Sequence, residues 1–176
     1  MARQPIIDAL EFARAGESLQ GTCAVADLPR LRDVLLEDSG ALEYELLGQR
    51  DGQGQPVLRL RIRGALQLVC QRCLEAMVLP VNIDTTLGLA GSQAEIDGEP
   101  LTVDSPERIA ASKRLAVHEL IEEELLLTVP YAPRHAQCEL REQKGSDAKE
   151  SPFADLGALV GSRGIRRGRR GGKRSH

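Results

Sequence analysis

Two pairs of residues carry metal-ligating chemistry at the same spacing. Cys70 and Cys73 stand two residues apart, and so do His135 and Cys138. At a tight bend, a C-x-x-C pair lets two thiolates converge on one cation, which is how a zinc knuckle is built. The second pair would complete a Cys3His set, provided that folding closes the long gap between the halves. Two other readings of the cysteines stay open: a reduced pair that packs the turn, and a redox dithiol. A thioredoxin-like dithiol sits at a helix N-terminus, where the dipole lowers the first thiol's pKa. Strand-like residues follow Cys73, so that activation is missing, and Arg72 alone would favour the thiolate. The default expectation is no resident cofactor, with zinc the one candidate. Cys23 stands alone and reads as a buried thiol.

These residues need an element to present Cys70 and Cys73, and the sequence supplies one. Leu58, Leu60, Ile62, Leu66 and Leu68 alternate with Arg59, Arg61, Arg63, Ala65 and Gln67, the period-two pattern of a strand with one buried face. Met77, Leu79, Val81 and Ile83 keep the same beat beyond the cysteines. Val57 to Ile83 therefore reads as a long β-hairpin with the dithiol at its tip and Cys70 on the apolar face. Leu42, Tyr44 and Leu46 form another alternating run that enters a turn at Asp51-Gly52. Pairing of that strand with the hairpin sets Glu43 and Glu45 across from Arg59, Arg61 and Arg63. Cross-strand charge pairing is then the first account of these arginines, and RNA contact by whichever is left unpaired is the second.

Elsewhere the signals are weaker. In residues 1–26, Ile6, Ile7, Leu10 and Phe12 are placed to anchor an edge. Asp27 is suited to cap a short helix through Leu36, with Pro29 in its first turn and Leu28, Leu31 and Leu35 on one side. The stretch from Thr85 to Asp104 reads as a long loop, with a short edge at residues 101–103. Ser105-Pro106-Glu107 is read as the opening of the main helix, which runs to Pro130 with Val117, Leu120, Ile121 and Leu125 inside and Glu119, Glu122 and Glu123 in water. His118 is placed at the surface or boundary. Residues 130–138 read as extended, and Ser151 to Leu156 as one apolar hook in a polar stretch.

The charge is unevenly distributed. The formal net charge is −3, yet residues 161–176 contain Arg163, Arg166, Arg167, Arg169, Arg170, Lys173 and Arg174 and no acid. An acidic body with a basic tail can touch phosphates without coating itself in nucleic acid. Two Tyr, two Phe and no Trp argue against a base-stacking platform. The sequence offers no long apolar run or secretory signal, so a cytoplasmic protein without membrane contact is expected, with its cysteines reduced. No Ser-His-Asp arrangement, phosphate-cradling glycine loop or H-E-x-x-H helix is present, and three scattered histidines offer little general-base capacity. No small-molecule substrate is expected.

Several stretches together resemble the bacterial YceD-type proteins, the large ribosomal RNA subunit accumulation proteins. They are the strand entering Cys70-Gln71-Arg72-Cys73-Leu74, the run Glu122-Glu123-Glu124-Leu125-Leu126-Leu127-Thr128-Val129-Pro130, the step Pro133-Arg134-His135 with Cys138 after it, and Ser151-Pro152-Phe153-Ala154-Asp155-Leu156. The resemblance spans residues 15–160, and the tail extends past it. Some relatives carry more cysteines in the C-terminal segment than Cys138 alone. The resemblance implies a role in the synthesis, processing or stability of 23S ribosomal RNA, with ribosomal RNA or a pre-ribosomal particle as partner, directly or through a protein. It implies no catalytic residues. The expected function is a non-enzymatic ribosome biogenesis factor whose RNA contacts fall to Arg59, Arg61, Arg63, Arg72 and the tail bases. The alternatives are an enzyme using Cys70 and Cys73, by dithiol redox or metal-dependent chemistry, and a pure protein-interaction module.

The expected fold is α+β: an antiparallel sheet built on the central hairpin, packed with one main amphipathic helix and a short N-terminal helix. One domain covers residues 1–160, with 139–160 loosely attached, and residues 161–176 form a disordered basic tail.

Overall fold

A computed structural model describes residues 4–98 and 107–138. The elements in chain order are β1 (Ile6–Ile7), α1 (Ala9–Ala15), β2 (Ser18–Ala24), β3 (Leu35–Glu37), β4 (Ala41–Arg50), β5 (Pro56–Val69), β6 (Ala76–Ala90), α2 (Gln93–Asp97), β7 (Arg108–Ala110), β8 (Leu115–Ala116) and α3 (Val117–Thr128). The main sheet runs β2-β4-β5-β6-β7, with β3 also pairing to β5, and β1 pairs with β8 in a small second sheet. All main-sheet pairs are antiparallel except β6 with β7.

The hairpin is the spine of this arrangement. β5 and β6 pair without interruption from Val57↔Gly88 to Val69↔Ala76. Leu58, Leu60, Ile62, Leu66 and Leu68 are all buried, as the alternation requires, and each contributes about 1.5–3 kcal/mol by leaving water. They join Leu42 and Leu46 of β4, Phe12 of α1, and Val117, Ile121 and Leu125 of α3 in a single core cluster. The fold is thus a mixed α+β structure. Pro80, which lacks an N–H, is exposed and sits opposite Ala65 on β6. Among the described residues that strand has a neighbour on its other side only at Gly88–Ala90, so Pro80 lies on an edge stretch, where a missing N–H is tolerated.

Two glycines are required by close approach. A Cβ on Gly48 of β4 would run into the carbonyl oxygen of Phe12, because the α1 backbone lies directly on the strand. Gly64 has φ 153°, and a Cβ there would meet the Leu42 side chain.

The structure corrects several sequence expectations. Thr85–Ala90 is strand, not loop: Leu87, Gly88, Leu89 and Ala90 are all buried, and β7 pairs alongside them. The expected helix from Asp27 to Leu36 does not form. Two 3₁₀ turns, Val25–Asp27 and Pro29–Leu31, are followed by β3, in which Leu35 pairs with Leu68. Leu28 and Leu31 are nevertheless buried. The short N-terminal helix is α1 instead, capped by Asp8, whose carboxylate accepts from the Leu10 and Glu11 N–H groups, and closed by Gly16 at φ 66°. β2, the strand at the sheet's far side, lies in the stretch that gave no clear sequence signal.

The main helix begins at Val117, not at 105, because Arg108–Ala110 is drawn into the sheet as β7. Glu122 does not face water but is 3% exposed, and its carboxylate accepts the Arg30 N–H at 2.6 Å. This bond satisfies a donor in the turn region between β2 and β3. His118, expected at the surface or boundary, is buried, with its ring edge-on to Tyr44 at 6.2 Å between centroids. The short edge expected at residues 101–103, the Ser151–Leu156 hook and the basic tail lie outside the described residues.

Candidate metal centre

The bend of the hairpin is built by local hydrogen bonds. The Cys70 N–H donates to the Glu75 carbonyl at 2.9 Å, and the Leu74 N–H donates to the Cys70 carbonyl at 2.9 Å. The turn needs a left-handed residue, and Leu74 takes it at φ 62°. This curls Cys70 and Cys73 inward; both are buried, and Cys70 follows Leu68 onto the apolar side as the alternation indicates.

After α3 the chain runs without regular structure past the bend. The Gln71 N–H donates to the Pro133 carbonyl at 2.8 Å, and an Arg72 Nη donates to the Cys138 carbonyl at 3.4 Å. His135 and Cys138 are thereby delivered to the hairpin tip. Cys70 Sγ lies 3.7 Å from Cys138 Sγ, and Cys73 Sγ lies 3.4 Å from His135 Nδ1. The four ligand-type atoms of Cys70, Cys73, His135 and Cys138 all fall within 4.8 Å of one another.

The histidine's orientation follows from its other contact. His135 Nε2 stands 3.1 Å from the Ala76 carbonyl oxygen. A carbonyl only accepts, so Nε2 carries a proton, and Nδ1 is the ring nitrogen turned to the cysteines. Burial opposes ionisation of Cys70. The backbone N–H groups of Cys73, His135 and Arg72 directed at its sulfur outweigh that effect, and the thiol is lowered to about 5. Cys138 moves the other way: burial raises it, as do its contacts with Cys70 and Cys73. Cys70 and Cys138, 3.7 Å apart, are thus shifted in opposite directions. Cys23 is remote in function from this group; it is buried, and desolvation pushes its thiol up to about 11.

The arginines of the hairpin lie on the opposite, polar side of the sheet and answer mostly to carboxylates. Arg59 donates from Nε and an Nη to the two oxygens of Asp84, at 2.7 and 2.8 Å. Arg61 reaches Glu45 at 2.9 Å and Asp84 at 3.3 Å. Arg63 stands opposite Glu43 in register but makes no ion pair with it among the described residues. Arg61 and Arg63 line an open groove with Gln20, Thr22, Glu43 and Glu45. Glu45 was expected as a partner for these arginines; Asp84, reached across the hairpin itself, was not. Arg72 is at the bend. The seven tail bases are outside the described residues.

A family model described as "Large ribosomal RNA subunit accumulation protein YceD" matches residues 58–160, more than half of the chain. The chain belongs to the YceD family. Comparison with curated proteins gives no match, and comparison with solved structures gives none. The matched stretch begins within β5, contains both halves of the cysteine–histidine group, and takes in all of α3. The family's name ties this YceD chain to accumulation of the large ribosomal RNA subunit. Among the described residues, no helix is long and apolar enough to cross a membrane.

Sequence reasoning missed three buried polar groups of α3, His118, Glu122 and Glu124. The first two are four residues apart and share one helix face. That spacing beside the apolar stripe was the available signal, and the tertiary partners, Tyr44 and the Arg30 amide, were not visible in it.

Proposed function

We propose that this YceD chain is a non-enzymatic ribosome biogenesis factor that acts in the synthesis, processing or stability of 23S ribosomal RNA. The family match over residues 58–160 carries this reading. The sheet supports a binding role, since it presents a broad polar face with Arg61 and Arg63 in an open groove. Arg59 and Arg61 are matched by Asp84 and Glu45, so phosphate affinity falls chiefly to Arg63, Arg72 and the basic segment 161–176. Each phosphate neutralised on single-stranded RNA adds about 0.7 to the logarithmic salt slope. Deleting residues 161–176 therefore flattens the salt dependence of RNA binding, and an unchanged slope removes the tail from the account.

The decisive experiment is depletion of the protein in cells, with 23S rRNA measured against 16S rRNA. A fall in 23S relative to 16S is expected; a normal ratio sinks the role. In-cell crosslinking separates direct RNA contact from a pure protein-interaction module, which would give protein adducts alone. A dithiol redox reading has one observation in its favour, the depressed Cys70 thiol. It requires a reversible disulfide from Cys70 in cells, which trapping by acid quench and alkylation detects.

A further inference from the structure

We propose that Cys70, Cys73 and Cys138 through Sγ, and His135 through Nδ1, bind one zinc ion in a closed structural site that fastens the segment after α3 to the tip of the β5–β6 hairpin. The inference stands apart from the ribosomal reading and rests on four observations.

The first is spacing. Ligand bonds of about 2.3 Å to sulfur and about 2.0–2.1 Å to nitrogen, set at tetrahedral angles, put two sulfurs about 3.8 Å apart and a sulfur and nitrogen about 3.6 Å apart. The Cys70–Cys138 pair stands at 3.7 Å and the Cys73–His135 pair at 3.4 Å. The same 3.7 Å is far beyond the ~2.05 Å of a disulfide. The second is orientation. The His135 ring is locked by the bond from Nε2 to the Ala76 carbonyl, the outer contact that a zinc-ligating imidazole makes.

The third is the donor set. Three thiolates and an imidazole in tetrahedral array suit zinc, and four protein ligands leave no open position for substrate, so the site holds structure instead of performing turnover. The fourth is need. Residues 130–138 form no strand or helix; of them only Pro133 is buried, and Tyr131 is fully exposed. The hydrogen bonds that join this segment to the hairpin tip, Gln71 to Pro133, Arg72 to Cys138 and His135 to Ala76, leave a chain with so little apolar burial weakly held against its own entropy. A metal supplies the missing attachment.

The test uses the full-length chain, expressed in zinc-replete medium and purified without chelators. Elemental analysis is expected to give about one zinc per chain. Cys70→Ser with Cys73→Ser should lower this at least about tenfold, whereas Cys23→Ala should leave it unchanged. To separate loss of zinc from loss of folding, two measurements are made on the unaltered protein. Cobalt exchanged for zinc should show thiolate charge transfer and intense tetrahedral d–d bands, and chelation should accelerate amide exchange across residues 130–138. Any one of four results overturns the proposal: less than about a tenth of an equivalent of zinc, full zinc in the double variant, an octahedral cobalt spectrum, or iron in place of zinc. A Cys70–Cys73 or Cys70–Cys138 disulfide in freshly quenched cells overturns it equally.

Discussion

The hairpin β5–β6 carries two polar cross-links of opposite kind. At its tip, three sulfurs, two of them buried, and an imidazole gather residues 60 or more positions apart in the chain. Along its middle, Arg59, Arg61, Asp84 and Glu45 form a ladder on the solvent side, with side chains 28–46% exposed. In the ladder water competes for every charge, and the strands beneath are already fastened by backbone pairing and by leucines on the other face. At the tip the segment that brings two of the ligand-type groups has no strand pairing among the described residues and is joined to the hairpin by a few hydrogen bonds. The difference teaches where polar chemistry organises this fold: it is decisive where apolar burial runs out and decorative where burial is complete.

The largest effect that sharpens the contrast is loss of the tip. Cys70→Ser with Cys73→Ser should lower Tm by of the order of 10 °C, and limited proteolysis should then cut within residues 130–138 before it cuts within the main sheet. A shift no greater than that of a surface substitution would place the tip with the ladder. Next comes Glu122, a buried polar group of a third kind, which joins α3 to the turn after β2. Glu122→Ala leaves the Arg30 N–H without its acceptor and should cost about 1–3 kcal/mol, read as a shift in the urea midpoint at constant slope. Glu122→Gln, which keeps an acceptor oxygen, should recover most of that loss.

How far these regions could be read in the sequence depends on how local their causes are. The hairpin was legible because Leu58 to Leu68 alternates with polar residues and one face is buried throughout. Its extension through Thr85–Ala90 was not: β7 covers the far edge there and Leu87 to Ala90 are all buried, which erases alternation. The segment 27–36 shows helical spacing at Leu28, Leu31 and Leu35, yet the Arg30 N–H is taken by Glu122, distant in sequence, and Leu35 pairs with Leu68. Helix α1 spans only Ala9–Ala15, too few turns to establish a period, though Asp8 and Gly16 mark its ends. As for the candidate centre, C-x-x-C and H-x-x-C are visible as pairs. Their meeting depends on a bond between Gln71 and Pro133 that no local pattern encodes.

A smaller effect tests the bend without touching its sulfurs. Leu74 holds a left-handed conformation that costs an L-residue about 1–2 kcal/mol, and its side chain is 65% exposed, so little packing offsets the cost. Leu74→Gly removes that penalty but adds backbone entropy to the unfolded chain. A net gain of up to about 1 kcal/mol is expected in the urea midpoint, whereas Leu74→Val, β-branched at positive φ, should be destabilising.

The smallest effect belongs to the ladder, and it is best found by titration. The Arg59 hydrogen bond is the main cause that holds the Asp84 carboxyl at about 2, below its ordinary 3.8, although partial desolvation works against it. A folded value below the unfolded one means that the contribution is complete above pH 3.8, declines as pH falls below it, and is gone once pH passes through about 2. Asp84→Asn should therefore lower Tm slightly at neutral pH, by at most about 2 °C, and the two proteins should converge as the solution is acidified through that window. Added salt should narrow the neutral gap, because exposed charges are screened. If Asp84→Asn instead cost as much as loss of the cysteines, and the loss persisted in high salt, the ladder would have to be an internal support of the sheet. The distinction between a solvent-facing set of charges and a chain-fastening tip would then no longer hold.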